Sequence, residues 1–293
     1  DSGTQAITGD ATFTNTAGTD DAITLDDASN AFGGTVTFAT DSGSAVTIVD
    51  TTALDLVALT AASLSATSGG AVTDSGTLAI AGATTISASG QDITLDQAAS
   101  TFGTLALTGA NVAVTENAAT DLGANTISGT FGITSGGAIT DSGTQAITGD
   151  ATFTNTAGDD DAITLDDASN DFGGTVTFAA DSGSAVTIVD ITALDLKALT
   201  AASLSATAGG AVTDSGTLAI AGATTISASG QDITLDDSAS TFGTLALTGV
   251  NVAVTENAAT DLGASTVSGT LGITSAGAVT DSGTLAITGA TTI

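Results

Sequence analysis

Cysteine, proline, methionine, histidine, tryptophan, tyrosine and arginine are all absent from the 293 residues, and one lysine, Lys197, stands against 32 acidic residues. Each absence excludes something. Without Cys there are no disulfides, so stability has to come from hydrogen bonding and core stacking. Without Pro nothing interrupts parallel strand pairing. Without His, Cys, Arg or Tyr the usual proton carriers and nucleophiles are gone, and without Trp or Tyr so are the usual sugar-stacking platforms. One Lys and no Arg leave few sites for trypsin.

What is present is Thr, Val, Ile, Ser, Ala and 37 Gly, with little Lys, Glu, Gln or Arg, a balance that disfavours helix and favours strand. Short alternating runs such as Ile23-Thr24-Leu25, Thr35-Val36-Thr37-Phe38, Thr77-Leu78-Ala79-Ile80 and Thr104-Leu105-Ala106-Leu107 put apolar side chains on one face and small polar ones on the other. They read as half-buried strands. Between them lie corners of Asp, Asn, Ser and Gly: Asp26-Asp27-Ala28-Ser29-Asn30 before Phe32-Gly33, Asp96-Gln97-Ala98-Ala99-Ser100 before Phe102-Gly103, and Glu116-Asn117-Ala118-Ala119-Thr120 before Leu122-Gly123. Asx side chains bond their own backbone and Gly accepts positive φ, which suits both to turns.

The runs end on carboxylates at Asp26, Asp50, Asp74, Asp96, Glu116, Asp141, Asp166, Asp190, Asp214, Asp236, Glu256 and Asp281, spaced 24, 24, 22, 20, 25 and 25 before the series repeats. A second copy therefore starts 140 residues after the first: DSGTQAITGDATFTNTAG at Asp1 returns at Asp141 and reopens, shortened, at Asp281. Only 14 of 140 positions differ between the two full copies, residues 1–140 and 141–280. Each copy divides into halves that open DSGTQAITG and DSGTLAIAG. Repetition at this scale marks a solenoid, propeller or array.

About 23 residues per coil and about 12 coils suit an all-β parallel β-helix running through residues 1–293 as one segment, with each strand pairing with its equivalent in the next coil. A four-stranded propeller blade needs roughly 40 residues, and antiparallel hairpins would want Asn-Gly or Asp-Gly turns, which are missing. At roughly 4.8 Å per coil the rod would be on the order of 60 Å long. The core would hold Val, Leu, Ile, Ala and the nine Phe, stacked on their own kind. Gln5 and Gln145 stand where Leu78, Leu218 and Leu285 stand in sister coils; the two alternatives are an amide stacked inside and a corner-adjacent amide, and the second is preferred.

A net charge of −31 spread over such a rod approaches the one charge per ~1.7 Å of duplex DNA, so counterions should crowd it. Nucleic acid and anionic membrane are poor partners; divalent cations, basic surfaces or further copies of the chain are better ones. No signal peptide or membrane-spanning run is present, and the chain starts and stops inside its own repeat, which reads as a piece of a longer array. Lys197 replaces Val57 of the first copy and reads as a neutral exchange.

The twelve carboxylates have two readings. Stacked coils would bring them within roughly 5 Å of one another as a column, where they would raise each other's pKa or recruit calcium. Alternatively each caps its turn by accepting backbone N–H bonds while pointing to water. Neither the EF-hand pattern nor a G-G-x-G-x-D repeat is present. Asp159-Asp160-Asp161 and Asp166-Asp167 are separated by a strand of about 13 to 17 Å, too far for one ion, and Thr19 in place of Asp159 in the first copy reads as drift in a solvated turn. No cofactor is required on either reading beyond calcium itself.

Paired carboxylates suffice for glycosidic cleavage, yet a catalytic centre is singular and every candidate here recurs at +140, so no enzyme is expected. Ice binding would use Thr-x-Thr arrays such as Thr12-Phe13-Thr14 and Thr35-Val36-Thr37, which the other coils of the repeat lack. The runs GAVTDSGTLAIAGATTISASG and DITLDQAASTFGTLALTG resemble the degenerate β-helical repeats of filamentous-haemagglutinin-like and other very large bacterial surface or secreted proteins. That resemblance implies an extracellular fibre, stalk or adhesin shaft and carries over no functional residue. The expectation is a structural filament segment, with a calcium-dependent or glycan-binding rod as the alternative.

Overall fold

In the computed structural model the chain is an all-β parallel β-solenoid of about 13 turns. The structure describes residues 1–15, 18, 20–156, 158 and 160–293; Thr19 and Asp159, whose exchange was read from the sequence as drift, lie outside them. Among the described residues there are 36 strands and no helix, and every described pairing is parallel. Two compact units arise, one of residues 1–137 with 145–147, the other of 138–144 with 148–293.

In the first unit, Val46 pairs with Leu64, Leu64 with Thr84, Thr84 with Leu105 and Leu105 with Leu122. All five side chains are buried. The strands Ala45–Asp50 and Ser63–Ser68 alternate strictly between partly exposed or exposed and buried positions, which is the period-2 pattern of the sequence turned into an inside and an outside. The second unit repeats the arrangement through Ile139, Ile163, Val186, Leu204, Thr224, Leu245, Leu262 and Asp281.

That last column corrects the coil length. Its seven steps run from residue 139 to residue 281, so a turn takes about 20 residues rather than 23. Counting one carboxylate per coil gave six coils in 140 residues where the register makes seven.

Eight of the nine Phe are buried, and Phe13 is half-buried. Phe13 and Phe38, in register, stack with ring centroids 5.8 Å apart, while Phe32 meets Phe13 edge-on at 5.8 Å. Phe153, Phe178 and Phe172 reproduce the same trio in the second unit.

Val57 is the extra residue of a bulge: Val36 pairs with Leu56 but Thr37 with Ala58. Its counterpart Lys197 bulges in the same way and is exposed, which is why Val and Lys interchange there. The bulge turns its carbonyl toward the next turn, where a Cβ on Gly76 would lie 1.2 Å from the Val57 oxygen and one on Gly216 1.6 Å from the Lys197 oxygen. Only glycine fits beneath the bulge.

Candidate functional site

The carboxylates divide into two kinds. Asp26, Asp96, Asp166, Asp236 and Asp281 are exposed. Asp50, Asp74, Glu116, Asp190, Asp214 and Glu256 are buried, and Asp141 is partly so. Burial of an ionisable group demands partners, and the corner backbone supplies them.

The Asp that opens the DSGT segments at Asp1, Asp74, Asp141 and Asp214 reaches the acidic corner of the following turn. Asp74 Oδ1 accepts the amide of Asp96 at 2.8 Å. Asp214 accepts from Asp236 at 2.7 Å and from Asp237 at 3.4 Å. Asp141 accepts from Asp166 at 2.8 Å, from Asp167 at 3.3 Å and from the Asn170 side-chain amide at 2.6 Å. Three pairs of the predicted carboxylates therefore meet, each as carboxylate to backbone amide.

The second set reaches back to the previous turn. Asp50 Oδ1 accepts from the amide of Phe32 at 3.2 Å, and from the amide and hydroxyl of Thr52 at 2.9 and 2.8 Å; Asp190 does the same for Phe172 and Thr192. Glu116 and Glu256 accept from the amides of Phe102 and Phe242 at 3.0 and 2.8 Å. Where the sequence offset to the Phe is 14 residues rather than 18, the side chain is Glu, one methylene longer.

Desolvation governs the titration of these groups. Burial pushes Asp74 up to about 6, against the bonded amide of Asp96 and the neighbouring amide of Gln97, which pull it down. Burial likewise raises Glu116, Asp141, Asp190 and Asp214. Asp41, partly exposed, goes the other way, held below the ordinary carboxylate range by the amide of Gly18 and the hydroxyl of Ser44.

The carboxylates do not form the expected column. Asp50 pairs in register with Ser68, Asp190 with Ala208 and Glu256 with Ser275, while Asp74, Asp214 and Asp281 stand opposite Leu56, Leu196 and Leu262. With seven turns to six carboxylates, successive acids fall at different places around the section. Among the described residues no three carboxylates converge as a metal ion would need. Turn capping is what the geometry builds, but with six of the caps buried rather than turned to water.

The interior also holds polar groups that the sequence reading passed over. Ser100 and Ser240 accept the amides of Leu78 and Leu218, each at 3.0 Å, and Asn30 accepts that of Gln5 at 2.7 Å. Each is the last residue of a five-residue acidic corner, and that fixed place was the available signal. Gln145 corrects the preference for a corner-adjacent amide: it is fully buried in a ladder over Asn125. The Asn125 side-chain amide donates to the Gln145 side-chain oxygen at 2.8 Å, and Gln145 donates in turn to the Gly123 carbonyl at 2.8 Å. The stacked amide also satisfies a corner carbonyl, so one side chain combines both alternatives.

A family model described as repeats of unknown function (DUF5649) matches residues 1–39, 43–108, 109–179, 183–248 and 249–293. Its repeats span roughly 65 residues, close to the half-copies in the sequence. No curated protein and no solved structure matches the chain, and the likeness to filamentous-haemagglutinin repeats stays at the level of a repeat-built β-helix.

Proposed function

The chain belongs to this family of repeats of unknown function, and from that premise we propose that it is a structural segment, a β-solenoid spacer in an acidic bacterial surface or secreted filament, without catalysis. One observation carries the reading: the polar groups in the corners recur at +140 with the same partners. Asp50, Thr52 and Phe32 reappear as Asp190, Thr192 and Phe172, and Glu116 with Phe102 as Glu256 with Phe242. These carboxylates are engaged in holding corners, and a reaction centre has no reason to be duplicated together with its scaffold. The charge of −31 supports an exposed, solvated setting, favours cations and basic surfaces as partners and disfavours nucleic acid and anionic membrane. Calcium is not needed for folding on this reading.

Chains carrying one, two and four copies of the 140-residue repeat test it by electron microscopy. Seven turns per copy at ~4.8 Å predict an increment of ~34 Å for each added copy. Particle length that does not grow with copy number overturns the spacer reading.

A further inference from the structure

In a chain with 32 acids, one sheet face of each unit carries no charge. In the first unit it is built from residues 45–49, 63–67, 83–87 and 104–108 of four consecutively paired parallel strands. Its central ladder is Thr47, Ser65, Thr85 and Ala106, and the outward positions on either side of that ladder are only Ala, Val, Ser and Thr, all partly or fully exposed. Acids return at its borders: Thr104 pairs with Asp121, and Asp26 follows Leu25, the partner of Ile48. The second unit presents the same face around Thr187, Ser205, Thr225 and Ala246. None of the 14 differences between the copies falls in these four segments, although substitutions occur just outside them at Thr51, Ser68 and Ala110.

Short side chains on a β-face let a second sheet approach to ~10 Å. The occupant follows from charge. Two molecules of net −31 repel wherever acids face each other, and this face meets a copy of itself without bringing acids together. A two-fold contact of this kind is self-complementary. We infer that it is the docking surface for a second copy of the chain, laid face to face once salt screens the surrounding acids. The inference rests on the structural reading above and deepens it by naming the partner. Four strands by five residues give about 300 Å² per face, well under the ~800 Å² per partner of a standard interface. Each contact is therefore weak, in the range of transient rather than obligate association.

Sedimentation of the full chain between about 0.05 M and 1 M NaCl, where the Debye length falls from over 10 Å to 3 Å, tests this. The expected result is monomer at low salt and dimer or larger at high salt. S65D/S205D places a charge on each face and should remain monomeric at 1 M salt. A99D/A239D adds the same charge at exposed acidic corners and should associate like the parent, as should the neutral S65N/S205N; circular dichroism confirms that all three retain the β-fold. A parent chain that stays monomeric at 1 M salt, whether or not the face holds some other ligand, overturns the inference. So does equal association of S65D/S205D and A99D/A239D, which would place the contact elsewhere. Length per copy, read from the same samples, separates failure of this inference from failure of the spacer reading.

Discussion

Asp74 accepts the backbone amide of Asp96 at 2.8 Å from a position only 5% exposed, so an acid of one turn holds the acidic corner of the next. Its second oxygen is buried without a hydrogen-bond partner. The geometry serves the corner and penalises the charge, which is why the group sits at about 6 rather than 3.8.

The sign of the pH dependence follows. A carboxyl whose folded pKa is raised stabilises the fold fully below its ordinary value and loses that contribution as pH climbs through the folded value. For Asp74 the window runs from about 3.8 to about 6, and the raised Glu116, Asp141, Asp190 and Asp214 act in the same direction. Lowering the pH from 7.5 to 5 should therefore raise the thermal midpoint. D74N keeps the acceptor oxygen that Asp96 uses and removes one desolvated charge; at pH 7.5 it should stabilise by on the order of 1–3 kcal/mol and flatten the profile. A midpoint that falls between pH 7.5 and 5 contradicts this.

Thr84 lies fully buried in the column Val46, Leu64, Thr84, Leu105, Leu122, and its hydroxyl has no partner; Thr224 repeats the situation. An unsatisfied buried hydroxyl costs about 1–3 kcal/mol, and Val is the same shape without it. T84V/T224V should raise the midpoint in thermal unfolding followed by circular dichroism. No gain, or a loss, would mean that the hydroxyl is satisfied after all.

Gly76 tests the bulge. G76A drives a Cβ to 1.2 Å from the Val57 carbonyl, and neither atom can yield without moving a turn, so a loss of roughly 2–4 kcal/mol is expected. Gly132 is the control, because a Cβ added there would meet nothing closer than 3.9 Å; G132A should shift stability by less than about 1 kcal/mol. Chemical denaturation of the two variants decides, and equal behaviour refutes the steric account.

The repeat, the strands, the aromatic core and the parallel pairing were legible because alternation and repetition are written in side chains. The carboxylate geometry was not. The spacing from Asp26 to Asp50 to Asp74 looks like a coil length, but the register sets Asp50 opposite Ser68 and Asp74 opposite Leu56, and bulges such as that at Val57 shift the frame without any sequence mark. Nor does the sequence distinguish Asp96, which faces water, from Asp74, which does not: one follows a short strand directly and the other ends one. The difference lies in the turn that follows, where Asp74 finds an amide to accept.

The buried amides make a double-mutant test. Gln145 and Asn125 bond each other at 2.8 Å, whereas the equivalent pair one repeat further along is Ser265 and Leu285, in register. There Ser265 accepts the amide of Leu247 at 3.0 Å and donates to the Gly263 carbonyl at 3.1 Å, so a small hydroxyl replaces the amide once Leu is its neighbour. Q145L alone strips a partner from Asn125 and from Gly123 and should cost about 1–3 kcal/mol. N125S/Q145L should recover part of that loss, giving a coupling above about 0.5 kcal/mol. Strict additivity of the two substitutions would show that the pair is not a unit.

Cations give the last test. With the acids at different places around the section and six of them capping corners from inside, the chain offers charge density without a chelating site among the described residues. Calcium, magnesium and sodium should then raise the thermal midpoint to a similar extent when compared at equal ionic strength, because each acts by screening the repulsion of a −31 chain. A site built of converging oxygens behaves otherwise: calcium would stabilise by RT ln(1 + [L]/Kd) and keep rising with concentration where magnesium does not. A calcium-specific rise at millimolar concentration, unmatched by magnesium, would restore the ion-bridged reading and locate it among the exposed Asp26, Asp96, Asp166, Asp236 and Asp281, since the buried caps are closed to solvent.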